Sequence, residues 1–168
     1  SKTLTATVNA DEGFNGDTNV TWSSSDETVV TVNSSTGVVT GVKTGKATIT
    51  ATSIADTTKT DSVEVLVLNN SGSTVDDPLT SSEAVEVAKL FGTTASTQKY
   101  YVKGLVTSAT YSTQHNNGDY VLDEVFTAFR ISFNGPFTSV DDIKVGYYLT
   151  VCGNIVNYNN KTPETTQG

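Results

Sequence analysis

Between residues 20 and 52 the chain alternates. Val20, Trp22, Val30, Val32, Val39, Ala47, Ile49 and Ala51 recur mostly at every second position, with Thr21, Thr31, Thr40, Thr48 and Thr50 between them. A period of two is the mark of a strand with one face buried and the other wet, and β-branched residues favour that backbone. Polar or glycine-bearing stretches at 23–27, 33–37, 43–46 and 56–61 separate the strands. Residues 4–8 alternate as an opening strand, and 62–68 form a closing one, with Val63, Val65 and Val67 expected on one face. Trp22 is expected to fill the space between two sheets. The pattern predicts a small β-sandwich over residues 1–69.

Residues 70–79 are polar, hold Gly72 and Pro78, and read as a solvated linker. The period then changes. Thr80 and Glu83 make a capping box, and Ala84, Val87, Ala88 and Phe91 follow at i, i+3, i+4 and i+7, one face of a helix that Gly92 ends. A helix of about three turns suits the plug of a small barrel. Strand patterns return at 100–111, 119–122, 126–133 and 147–158. Gly104 and Gly153 are placed where barrel strands bend, and Asn117-Gly118 is a hairpin signal. Residues 134–136 break the run, 140–145 read as a short turn or helix, and 159–160 turn the chain again. The fold class is therefore all-β in two modules, the second spanning 80–168.

Thr21-Trp22-Ser23-Ser24-Ser25-Asp26, then Val30-Thr31-Val32, then Thr36-Gly37-Val38-Val39-Thr40-Gly41 and Gly45-Lys46-Ala47-Thr48-Ile49-Thr50-Ala51 resemble the bacterial Ig-like domain of group 2. The resemblance covers residues 3–68 and implies an Ig-like β-sandwich. That family occurs in intimin- and invasin-like adhesins, phage tail proteins, glycan-degrading enzymes and surface lipoproteins. Its members usually carry a strand ahead of the one at 4–8, so the sandwich is expected to lack its first strand. The second module resembles a five-stranded OB-like domain of secreted proteins and lipoproteins of gut Bacteroidetes. The residues that carry this are Tyr101-Val102-Lys103-Gly104-Leu105-Val106, Phe129-Arg130, Phe133-Asn134-Gly135, Phe137-Thr138-Ser139, Ile143-Lys144-Val145-Gly146, Val151-Cys152-Gly153, Asn157-Tyr158, Thr162-Pro163-Glu164 and Gln167-Gly168. There the resemblance implies a barrel with one capping helix, its last strand expected beyond Gly168. Together the two resemblances imply a place outside the cell or on its outer surface.

Charge narrows the partners. The chain has 18 carboxylates against 10 basic side chains, 8 against 4 up to residue 69 and 10 against 6 beyond it. Neither half offers the positive field that phosphate backbones require, so nucleic acid is a disfavoured partner. A glycan or a surface protein fits better. A single cysteine allows no internal disulfide, and no apolar run approaches the ~18 residues that span a bilayer. A start at Ser1 without a leader reads as a processed or excised piece of a larger exported protein. The piece is expected to be monomeric unless edge strands are exchanged.

No residue grouping reads as catalytic, and neither a cofactor nor a metal is expected. Asp11, Glu12 and Asp17 match no helix-loop-helix calcium spacing and read as a solvated loop. His115 lies in a polar turn with no ligand or triad partner at a meaningful spacing. Cys152 is expected to pack as a small hydrophobe. The adjacent pairs Asp123-Glu124 and Asp141-Asp142 read as exposed turns rather than as two acids held across a sugar. There is no phosphate loop. OB-like barrels bind oligosaccharides or oligonucleotides on one face, and Tyr111, Tyr120, Arg130, Phe133 and Tyr158 are the candidates for such a face. The leading expectation is a non-enzymatic spacer presenting an OB-like module. The alternatives are carbohydrate binding or single-stranded nucleic-acid binding by that module.

Overall fold

The computed structural model describes residues 1–112, 117–132 and 142–166. The chain divides into two compact units, Ser1–Asn69 and Asn70–Gly168.

The first unit has two three-stranded sheets. Strands β1 (Lys2–Thr3), β3 (Val30–Val32) and β4 (Val38–Gly41) form one in the order β1-β4-β3; β2 (Val20–Ser24), β5 (Gly45–Ser53) and β6 (Thr60–Val67) form the other in the order β2-β5-β6. Alternation along β5 buries Ala47, Ile49 and Ala51. Val29, Val30, Val39, Ala47 and Ile49 make the core, and Leu4, Trp22, Val32, Val65 and Val67 pack against it. Trp22 thus joins the sandwich core as expected. Val63 does not, being 46% exposed.

The strand expected at 4–8 is replaced by the two-residue β1, and residues 4–10 carry no regular secondary structure. The reason lies in its partner. β1 pairs Lys2 with Val39 and Thr3 with Val38, and the Leu4 N–H then donates to the Gly37 carbonyl at 2.9 Å. Gly37 belongs to the turn that begins at Asn33, so the neighbouring backbone leaves the ladder there.

The second unit is barrel-like, with one α-helix among the described residues. Residues 70–79, read from sequence as a tether, lie within it. The Gly72 N–H donates to the Asp77 carbonyl at 3.0 Å, and the Tyr101 N–H to the Gly72 carbonyl at 2.8 Å. Fully buried Leu79 opens β7 (Leu79–Thr80), which runs parallel to β8 (Tyr100–Ser112). One apolar side chain anchors this otherwise polar stretch.

Helix α1 (Ser81–Phe91) begins with the expected box: Thr80 accepts from the Glu83 N–H, and Glu83 accepts from the Thr80 N–H at 3.0 Å. It ends at Gly92, whose φ of 58° is a left-handed value that glycine accepts without a Cβ penalty. Ala84, Val87 and Ala88 face inward. The remaining strands are β9 (Asn117–Leu122), β10 (Phe126–Ser132), β11 (Tyr148–Gly153), β12 (Ile155–Tyr158) and β13 (Thr162–Thr165). Their order is β11-β8-β9-β10-β13-β12, with β10 and β13 parallel and the other neighbours in this order antiparallel. Only Asn154 separates β11 from β12. The expected long strand at 147–158 is therefore bent in two: one half pairs with β8, the other with β13, and the pairing circuit returns to its start. Among the described residues β13 lies between β10 and β12.

Candidate functional site

The five residues expected to share a binding face are not brought together. Tyr120 is fully buried on the inward face of β9, alternating with Leu122. That is a correction to its expected surface role. Burial, then the nearby Tyr111 and Asp119, hold its phenol above the usual tyrosine range. Tyr111 lies half-buried on β8, opposite Gly118. Tyr158 is 56% exposed at the end of β12, beside the turn in which Asn159 and Asn160 take φ of 52° and 56°. Arg130 lies in β10. Phe133, together with His115 and Asp141, falls outside the described residues.

The acidic pair Asp123-Glu124 sits in the exposed β9–β10 turn, with φ of 49° and 64°. Asp123 has a structural job there. Its carboxylate accepts from the buried Ser81 hydroxyl, and from the Leu105 N–H at 3.1 Å, so it ties the first turn of α1 to the bend of β8. Gly104 makes room for it, because a Cβ at that position would lie 2.6 Å from Asp123 Oδ2. Glu164 on β13 is buried, and that burial, followed by Asp119, raises its carboxyl above the ordinary glutamate value.

In the first unit, a cavity of about 540 Å³ runs between residues 6–11 with Phe14 on one side and Ala51, Ser53 and Asp61 on the other. Of its acids, Asp11 and Asp56 begin turns and Asp61 lies in β6. The Thr58 hydroxyl and N–H hold Asp56 below the usual carboxylate range. Outside this cavity, Asp17 accepts from the Asn19 N–H and side-chain amide at 2.8 and 2.7 Å. Among the described residues, no group of three His, Cys, Asp or Glu side chains can hold a metal ion. None of their helices is long and apolar enough to cross a membrane.

The outer face of β8 and β11 is the surface that sequence reading passed over. Register sets Tyr148 opposite Leu105, Thr150 opposite Lys103 and Cys152 opposite Tyr101. Val102, Val106, Leu149 and Val151 point the other way, into the core. Tyr148 is 72% exposed, and the Lys103 Nζ lies 5.8 Å from its ring centroid. Cys152, expected to be packed, is exposed. The core phase of β11 belongs to Leu149 and Val151, and Cys152 falls on the opposite one. The signal was present in the alternation of Tyr148-Leu149-Thr150-Val151-Cys152, which sets one aromatic and two small polar groups on one side.

Comparison with known proteins adds context for part of the chain. A stretch of 55 residues, 33% of this chain, is 56% identical to a 3-O-alpha-D-galactosyl-alpha-L-arabinofuranosidase of Bifidobacterium longum subsp. longum, covering 5% of that protein. A stretch of 49 residues, 29% of this chain, is 61% identical to an alpha-L-arabinofuranosidase of the same subspecies, covering 4% of it. The chain therefore spans a small fraction of the relatives it matches. No solved structure matches it. Residues 1–65 match the bacterial Ig-like domain (group 2), the family that the Trp22 sandwich resembles.

Proposed function

We propose that the chain is a non-enzymatic accessory piece of a larger exported bacterial protein that works on or beside glycans. In this reading the Ig-like unit is a spacer, and the second unit is the module it presents, outside the cell or on its outer surface. The observation that carries the reading is the short match to two arabinofuranosidases, 4–5% of their length. An Ig-like domain of this kind is non-catalytic, so in such a protein the chemistry belongs elsewhere. The second unit reads as an OB-like barrel. The strand order β11-β8-β9-β10-β13-β12 supports this, with its parallel β10–β13 pair and one strand bent across two neighbours. Six basic against ten acidic side chains in that half argue against a nucleic-acid partner.

Incubation of the intact chain with p-nitrophenyl α-L-arabinofuranoside, and with arabinogalactan, tests the reading. The expected result is no release of nitrophenol or sugar above the buffer rate. Hydrolysis that follows the chain through successive purification steps would overturn it.

A further inference from the structure

We propose that the outer face of the β8–β11 pair is a binding platform for an oligosaccharide chain, with Tyr148 and Tyr101 stacking on sugar faces and Lys103 and Thr150 between them engaging hydroxyl groups. Its parts come from two strands in fixed register. Tyr148 lies beside Leu105 at one end, Tyr101 beside Cys152 at the other, and the polar pair Lys103 and Thr150 forms the row between. The two ends are four residue steps apart along the strand, about 13 Å at the usual rise. That is the span of a short oligosaccharide.

The chemistry matches a sugar better than the alternatives. A pyranose or furanose presents C–H groups on its faces and hydroxyls around its rim. The negative face of an aromatic ring attracts the former, and an ammonium or a threonine hydroxyl bonds the latter. A protein partner would call for a more continuous apolar core than this alternating face supplies. A phosphate chain would call for more than one cation. The platform is also prepared in advance. Lys103 Nζ lies 5.8 Å from the Tyr148 ring centroid, so the ammonium and the ring already stand side by side. Rigid strands carry all six side chains, and α1 packs against β7, β10, β12 and β13 as well as β8, on the interior side.

The choice of ligand rests on the glycan setting proposed above, but the two ideas fail separately. A chain that hydrolyses substrate sinks the accessory reading alone, and a chain that binds no polysaccharide sinks the platform alone. The test is affinity electrophoresis of the intact chain through gels containing soluble arabinogalactan, arabinoxylan or mixed-linkage β-glucan, against a non-binding reference protein. At least one polysaccharide is expected to retard it. Tyr148→Ala should weaken that retardation roughly tenfold or more, as truncating a central aromatic anchor does. Tyr101→Ala and Lys103→Ala should weaken it less, and Tyr158→Ala on β12 should leave it unchanged. In the unmutated chain the same polysaccharide should slow alkylation of Cys152 by iodoacetamide several-fold. Migration unaffected by all three gels, retardation that survives Tyr148→Ala with Cys152 unprotected, or retardation by a single-stranded oligonucleotide alone would each overturn the platform.

Discussion

At the residue scale, positions with no room to spare decide more than those with conspicuous chemistry. Gly37 has a φ of 67°, and a Cβ there would lie 2.8 Å from the Leu4 carbonyl oxygen and 2.9 Å from the Trp22 indole. Gly37→Ala incurs the left-handed backbone penalty, about 1–2 kcal/mol, and adds a clash against backbone and a core ring. The expected loss is roughly 2 kcal/mol or more from the first unit, read by urea unfolding through Trp22 fluorescence. Glu164 makes the corresponding case for charge. Its buried carboxyl ionises less readily in the fold than in the open chain, so its folded pKa lies above 4.5. The stability this gives is fully present below 4.5 and is lost as pH rises through the folded value. Glu164→Gln, which stays neutral, should flatten the decline of the second unit's melting temperature between mildly acidic and neutral pH. Asp26 and Asp56 have the opposite sign. Hydrogen bonds from Thr28 and Thr58 depress both, so the first unit should weaken as pH falls below 3.8. Tyr120 was misplaced on a binding face from sequence because an aromatic ring invites that role. Its place in step with Leu122 on the core face of β9 was already legible in the alternation.

At the element scale, α1 was read nearly to the residue because its determinants are local. Thr80, Glu83 and Gly92 act within one turn of themselves. Glu83 does more than a capping box requires, since its carboxylate also accepts from the Asn70 side-chain amide at 2.8 Å. Thr80→Ala should cost about 1 kcal/mol, and Glu83→Ala should cost more, because it also frees the 70–79 segment. Chemical denaturation of the two variants, followed by far-ultraviolet dichroism, orders them. The Asp123 bridge between α1 and β8 offers a second comparison. Ser81→Ala and Asp123→Asn should each destabilise by about 1–3 kcal/mol, and the double variant by less than their sum, since both break one interaction. What the sequence hid at this scale are features set by distant partners. The opening strand stops at Leu4 because Gly37 turns away. The 70–79 stretch is polar in composition, yet one buried leucine and a bond from Tyr101 hold it. Neither cause lies within the window that periodicity can see.

At the scale of the molecule, each unit has its own apolar centre, one built from Val30, Val39 and Ile49 and the other from Leu122, Phe126 and Ile155. The boundary after residue 69 was legible because strand periodicity stops there and a capping signal follows. The circuit of the second unit was less so. Strand count and bend positions can be read from glycines, but which strand lies beside which is a long-range choice that single-sequence patterns do not encode. A calorimetric scan of the intact chain should resolve two transitions, and Gly37→Ala should lower only the one that Trp22 fluorescence reports. The bend at Gly153 and Asn154 has a consequence for how the barrel comes apart. One short run of chain holds both seams, so neither can slip by a residue without dragging the other out of phase and turning Val151 or Ile155 toward water. The amides of Val151 and Val156, on opposite sides of the corner, should then exchange with deuterium at one common rate. The corner works as a latch that opens whole or stays shut.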